Sequence, residues 1–343
     1  MTLRSELLQA AQAAQAVYRS SGAKERVEQE GYTRVDPFSV AASEDLFVML
    51  KPMETLLGAF LRLDTPGILI NSDRPPGLVR MTCAHEIGHY VLGHQTTSDQ
   101  TLDYGDKASP VERQADWFAY QLLMPRSLLA SLMKRKGWTV ESLQDPQTVY
   151  QLSLRLGLSF TGTVWSLFRQ QMLSSSTAHA LVKIQPKRLK QALVGPTTAG
   201  NSDVWLLDKA DRDLVLEPRS TDQFVVDLPN HVASGFLWSL GDAKDAGFKL
   251  SPITIDARHA PKPDPGTVRF GSAQNLRYRL ELTDDKMPRE QLRYAALDFI
   301  ESQPWRSALN TDDRFNAATA FVEIQEGLSP QSKAQLIDEV SRA

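Results

Sequence analysis

Cysteine is nearly absent: Cys83 is the only one in 343 residues, so no disulfide can form within the chain. That fits a reducing compartment, and the cytoplasm is the expected location. No uninterrupted apolar run reaches the about 20 residues needed to cross a bilayer, so no role inside a membrane is expected. Charge of one sign is also scarce. A formal net charge of −3 gives no bulk attraction to nucleic acid, and direct nucleic-acid binding is not expected beyond a local basic patch. The start, M-T-L-R-S-E-L-L-Q-A-A-Q-A-A-Q-A-V-Y-R, reads as an Ala/Gln-rich amphipathic helix without a continuous apolar core or a following cleavage pattern, so no secretory signal is expected. What is present is an ordinary 42% hydrophobic content and enough length for two domains.

The chemistry concentrates in residues 80–95, R-M-T-C-A-H-E-I-G-H-Y-V-L-G-H-Q. His85, Glu86 and His89 form H-E-x-x-H. On a helix, residues four apart lie nearly above one another, so both imidazoles can grip one metal ion. Glu86 leans to the same side and can take a proton from water at the metal without coordinating it. Met81, Ala84, Ile87, Val91 and Leu92 give the helix an apolar side to bury. Cys83, two residues before His85, points away from that ligand and reads as a small core residue.

A catalytic zinc takes three protein ligands and keeps one position open. His94 is one candidate for the third, but H-E-x-x-H-x-x-G-x-x-H is not met: Gly93 comes one residue late and His94 one early. The better candidate lies in residues 109–125, S-P-V-E-R-Q-A-D-W-F-A-Y-Q-L-L-M-P. Ser109 suits an N-cap and Pro110 the first helical position. Glu112 and Asp116 share a helix face, so Glu112 can be the third ligand while Asp116 orients an imidazole through its ring N–H. Trp117, Phe118, Tyr120, Leu122 and Leu123 supply packing.

The combination of T-C-A-H-E-I-G-H-Y-V-L-G-H with E-R-Q-A-D-W-F-A-Y-Q-L-L-M-P resembles the ImmA/IrrE family of bacterial metallopeptidases. The resemblance extends upstream through V-D-P-F-S-V-A at residues 35–41 and I-L-I-N-S at 68–72, covering about residues 1–175. It implies zinc held by His85, His89 and Glu112, with Glu86 as general base. It also implies a regulatory protease of intracellular proteins, a helix-turn-helix transcriptional repressor being the typical partner.

Along the first half, helices are expected at residues 3–20 and from Pro37 to Ser43, with Asp36 as cap. Strands are expected at 46–50, 58–63 and 67–71, forming a small sheet whose edge could receive an extended peptide. Pro75, Pro76 and Gly77 should hold the start of the metal-binding helix back to about Arg80. Residues 96–107 read as a loop over the site. Two candidates for stabilising an oxyanion are Tyr104 in that loop and His94, and the choice between them stays open. Residues 126–171 read as short helices with a turn at Gly157, a helix-turn-helix-like extension in which Arg169 alone is too little charge for reading DNA.

The run Ser174-Ser175-Ser176-Thr177 marks a composition shift and the first linker, and a linker with a short helix is expected over 176–196. Beyond it the apolar period changes to two. Short strands are expected at 204–208, 214–217, 223–228, 236–240, 253–257, 267–270 and 276–282, which suggests an Ig-like sandwich. Within this half L-P-N-H-V-A-S-G-F-L-W, residues 228–238, resembles the L-P-x-N-P-T-T-G-Y-x-W loop of chagasin-type inhibitors of cysteine peptidases. Residues 303–306, Q-P-W-R, are similar to that family's R-P-W-E loop, and 321–325 to its last strand. His231, Val232, Ala233, Ser234 and Phe236 depart from the loop pattern, and 284–302 looks longer and more helical. The resemblance implies a protein-recognition module presenting Ser234, Gly235 and Trp305. An amphipathic C-terminal helix is expected at 328–343.

The fold class expected is therefore α+β: a zincin-like H-E-x-x-H metallopeptidase domain with a helical extension at 1–175, followed by an all-β Ig-like sandwich at 197–327. The expected activity is that of a zinc-dependent endopeptidase acting on a protein substrate. The alternatives are a non-proteolytic zinc-containing transcriptional regulator and a protein-binding module.

Overall fold

The computed structural model describes residues 3–62, 64–95, 109–195, 202–219, 221–241, 248–253, 275–282, 293–303, 305 and 313–321. They divide into two compact units, one holding the described residues up to Ile184 and the other those from Gln185 on.

The first unit opens with α1 (Leu3–Ser20), whose buried Ala10, Ala14, Val17 and Tyr18 recur at helical spacing. After α2 (Ala23–Glu28), α3 (Pro37–Ser43) starts where expected. Asp36 accepts from the Phe38 N–H at 3.3 Å and from Ser39 Oγ at 2.9 Å. Three strands follow, β1 (Phe47–Lys51), β2 (Gly58–Leu61) and β3 (Gly67–Asn71), in the order β1-β3-β2. β3 is central, parallel to β1 and antiparallel to β2. One face buries Val48, Phe60, Ile68 and Ile70, while Phe47, Met49 and Leu61 stay exposed.

α4 (Pro76–Val91) packs against β2, β3 and α3, and α5 (Pro110–Leu123) packs against both α4 and α1. α4 starts four residues earlier than expected. Pro75 is its N-cap and Pro76 its first residue, where a missing N–H costs nothing and the fixed φ favours the helix. Arg80, buried beside Asp36 at 3.7 Å, fastens this end of α4 to the cap of α3.

The helical extension consists of α6 (Arg126–Lys136), α7 (Pro146–Leu156), α8 (Phe160–Arg169) and α9 (Ser175–Leu181). Gly157 turns the chain between α7 and α8 with a left-handed φ of 66°. The serine run is not a linker: Ser174 accepts from the Thr177 N–H at 3.1 Å and caps α9.

The second unit begins with α10 (Pro186–Val194), whose Leu193 and Val194 pack on Val204 and Val225. Its strands are β4 (Val204–Leu207), β5 (Val215–Leu216), β6 (Gln223–Leu228), β7 (Leu237–Leu240), β8 (Phe248–Pro252), β9 (Leu276–Leu282), β10 (Arg293–Ser302) and β11 (Asp313–Phe321). They form two four-stranded sheets, β5-β11-β10-β7 and β4-β6-β9-β8. The helical reading of residues 284–302 is overturned for 293–302, which form the strand β10. There Leu297, Asp298, Phe299 and Glu301 are buried. Phe321, expected in the last strand, is part of β11. The expected strands at 254–257 and 267–270, residues 322–325 and the expected helix at 328–343 lie outside the described residues.

Among the described residues no helix is long and apolar enough to cross a membrane.

Candidate metal centre

Two helices supply the site. α4 carries His85, Glu86 and His89 in its last two turns, all at most 2% exposed. α5 brings Glu112 in its first turn. Ser109 caps that turn, accepting the Glu112 N–H at 3.2 Å, and Pro110 opens it. Where the helices meet, Gly88 faces α5 so closely that a Cβ there would lie 3.2 Å from the Ala115 Cα and 3.1 Å from Phe118 Cδ1. The missing side chain lets α4 and α5 approach until their polar groups touch.

Three donor atoms converge. His85 Nε2 lies 2.9 Å from His89 Nε2 and 3.2 Å from Glu112 Oε2. His89 Nε2 is 3.6 Å from the same carboxylate oxygen. Ligand atoms about 2.0–2.2 Å from a tetrahedral zinc stand roughly 3.3–3.6 Å from one another; one pair matches that spacing and the pairs at 2.9 and 3.2 Å are shorter by up to about 0.4 Å, so an ion would need only a small outward shift of the donors. The chemistry of the donor set fits as well. Asp116 Oδ1 accepts from His85 Nδ1 at 2.9 Å, which leaves the His85 Nε2 lone pair facing its neighbours. Electron-rich atoms this close require either an added proton or a cation. The neighbouring His85 and then His89 rings hold the Glu112 pKa well below the ordinary carboxylate range, favouring its ionised form. That is the form a metal ligand needs.

Glu86, the residue after His85 on α4, is fully buried. Its carboxylate lies under β2, where a Cβ on Gly58 would come 2.8 Å from Glu86 Oε1 and 3.2 Å from the Leu69 carbonyl oxygen. Gly58 thus leaves room for the carboxylate at the strand that ends the sheet.

His94 takes a different place from that of a third ligand. α4 ends on Leu92 and Gly93 has φ 76°. Gly93 N–H donates to Tyr90 O at 3.1 Å and His94 N–H to His89 O at 2.9 Å, the paired bonds of a Schellman cap. This turn folds His94 back so that its Nδ1 lies 3.0 Å from His89 Nδ1, on the ring edge facing away from the donor cluster. His94 is therefore not part of the donor cluster, which is made by His85, His89 and Glu112. Burial, and next the neighbouring His89, lower its pKa and favour the neutral ring. His94 Nε2 reaches Gln114 Oε1 at 3.2 Å. Arg62, just after β2, clasps the cap by donating to the carbonyls of His94 at 2.9 Å and Tyr90 at 3.2 Å. Tyr104 lies outside the described residues.

Sequence reasoning missed Gln114, Gly58 and Gly88 as parts of the site. A signal for His94 was present: a glycine after the last helical residues, then a histidine at the position that a Schellman cap sets over the helix residue five earlier.

Arg169 is turned inward, its guanidinium 4.5 Å above the Tyr120 ring. In the second unit, Gln303 Nε2 donates to Ser234 O at 2.9 Å, and His231 Nδ1 meets the buried Glu301 at 2.9 Å. Gly235 has φ 81° and a Cβ there would overlap the Trp305 indole. Trp305 remains 70% exposed. The expected recognition residues Ser234, Gly235 and Trp305 thus come together at adjoining loops.

A histidine pair one helical turn apart, a carboxylate from a second helix and a buried glutamate alongside together describe a metallopeptidase-like domain. Comparison with known families agrees: residues 41–161 match the peptidase family described as the IrrE N-terminal-like domain. That match supports the ImmA/IrrE resemblance and a peptidase domain, whose substrate would be protein. No curated protein matches the chain. One solved structure aligned with it is a cysteine protease inhibitor, EhICP2, from Entamoeba histolytica, at 14% identity over 36% of this chain and 100% of that chain. Its TM-score of 0.26 is too low for the likeness to bear on fold or function.

Proposed function

We propose that the first unit is a zinc-dependent endopeptidase that cleaves an intracellular regulatory protein, a helix-turn-helix repressor by the family resemblance. The observation that carries this is the convergence of His85 Nε2, His89 Nε2 and Glu112 Oε2 within 3.6 Å, with Glu86, the residue after His85, fully buried. His85, His89 and Glu112 would hold the ion, and Asp116 fixes the His85 ring by accepting its Nδ1–H. The ion when bound supplies Lewis acidity, polarising a peptide carbonyl and making nearby water acidic. Glu86 accepts the proton that this water gives up and returns it to the leaving amine. β2 ends its sheet in the described residues and passes Glu86 at Gly58, so an extended substrate backbone can pair along it. The cytoplasm suits such a substrate. The second unit, an Ig-like sandwich in this proposal, would recognise protein through the loops around Ser234, Gly235 and Trp305. A role in reading DNA gains no support from Arg169, which is engaged with Tyr120.

The decisive experiment compares cellular protein fragments produced by the wild type and by Glu86→Gln, with zinc content measured on both. Retained zinc with loss of a specific fragment supports the assignment. An identical fragment pattern refutes it.

A further inference from the structure

The geometry points to a second positioning chain behind the metal centre, His89–His94–Gln114, which locks His89 in the tautomer that ligates metal, as Asp116 does for His85. The inference rests on the metal-site reading above and extends it to residues outside the donor set.

The proton positions follow from one end. Gln114 Oε1 can only accept, so His94 Nε2, 3.2 Å away, carries the hydrogen. A neutral imidazole protonated at Nε2 has a bare Nδ1, and that atom faces His89 Nδ1 at 3.0 Å. His89 Nδ1 must then donate, which leaves the lone pair on His89 Nε2, the atom that lies 2.9 Å from His85 Nε2 and 3.6 Å from Glu112 Oε2. Every hydrogen bond in the chain is satisfied in one direction only.

The chain is built by two local structures. The Schellman cap at Gly93 places His94 over His89. Helix α5 places Gln114 between the ligand Glu112 and the orienting residue Asp116. One helix thus contributes a ligand and the terminal acceptor of each imidazole's support. His94 acts through His89 and touches neither metal nor substrate.

The test measures zinc affinity of the full-length protein by competition with a chromophoric chelator. His94→Leu fills the volume without an acceptor, and His94→Asn keeps an acceptor oxygen at the position of Nδ1. The expected result is an about ten- to hundred-fold weaker affinity for His94→Leu, with His94→Asn restored to within a few-fold of wild type. Equal affinities of wild type and His94→Leu would overturn the proposal, as would an Asn variant no better than Leu. If His94→Leu does not fold, Gln114→Leu decides: it should also weaken zinc binding, and unchanged affinity sinks the chain. An independent readout on the unaltered protein is histidine nitrogen NMR of the zinc-loaded state. His94 should show a protonated Nε2 and His89 a protonated Nδ1; the opposite tautomer at His94 would overturn the inference. Failure of the wild type to bind zinc at all would instead remove the metal-site reading on which it stands.

Discussion

The contact of α4 with α5 at Gly88 makes a quantitative prediction about the metal centre. Replacing Gly88 with alanine adds one methyl group whose carbon would sit 3.2 Å from both Cα and O of Ala115 and 3.1 Å from Phe118 Cδ1. Carbon atoms pack best about 3.5–4.0 Å apart, so the helices must separate by roughly 0.3–0.8 Å or Phe118 must yield. Two effects oppose each other in stability. Alanine favours the helix over glycine by about 1 kcal/mol, whereas overpacking costs about 1–3 kcal/mol. The metal-free protein should therefore lose at most about 2 kcal/mol. Zinc affinity has no such compensation. A metal–ligand distance tolerates only about 0.2 Å of error, and the separation moves Glu112 on α5 away from His85 and His89 on α4. The expected outcome is a Gly88→Ala protein that melts close to wild type without metal, yet binds zinc at least about ten-fold more weakly. Chelator competition together with thermal unfolding, with and without zinc, measures both quantities. Affinity within two-fold of wild type would show that α4–α5 spacing does not hold Glu112 in place.

Three further predictions use different contacts. Gly58→Ala should keep zinc but lose about a hundred-fold in cleavage rate, because its Cβ would overlap Thr82 Cγ2 on α4 and crowd Glu86 Oε1 at 2.8 Å, and a misplacement near 1 Å carries that penalty; activity assays against any cleaved protein fragment check it. Asp116→Ala removes the acceptor from His85 Nδ1, 2.9 Å away, and should weaken zinc binding about ten- to hundred-fold, read by the same chelator competition. Stripping metal should lower the melting temperature of the first unit, since zinc at a hundred times its dissociation constant stabilises a folded site by about 2.7 kcal/mol; calorimetry before and after chelation would reveal the shift or its absence.

Local signals were legible where one residue decides one feature. Asp36 before Pro37 fixed the start of α3, and Ser109 with Pro110 marked the start of α5, because caps and first-turn prolines act through their own backbone neighbours. The spacing of His85 and His89 reported their shared helix face for the same reason. What was hidden needed tertiary contact. Gly58 and Gly88 look like ordinary glycines until Glu86 and Ala115 are placed beside them. The contact of His94 with His89 comes from the cap that ends α4, and the contact of Gln114 with His94 joins residues on separate segments, so neither shows in local spacing. The serine run reads as a linker in sequence because serine favours both loops and N-caps. In residues 293–302 the alternation of apolar and polar residues is incomplete, with Ala295, Ala296 and Leu297 consecutive and Asp298 buried among the core residues, so a period of two does not stand out in the sequence of this strand.

The role of the second unit can be tested at Trp305 with little risk to the fold. At 70% exposure the indole buries only about 75 Å² of the roughly 250 Å² a Trp can bury, so Trp305→Ala removes at most about 2 kcal/mol of apolar stabilisation. A large exposed aromatic held against Gly235 is suited to anchor a partner, because its contact area comes with few rotamers to freeze. Recognition through these loops predicts a higher KM for cleavage of the cognate protein, an unchanged kcat and unaltered zinc affinity. Val232→Ser on the same loop, at a side chain 44% exposed, should act in the same direction with less effect on folding. If both variants cleave the protein with wild-type KM, these loops take no part in choosing the substrate, and the second unit must contribute in another way.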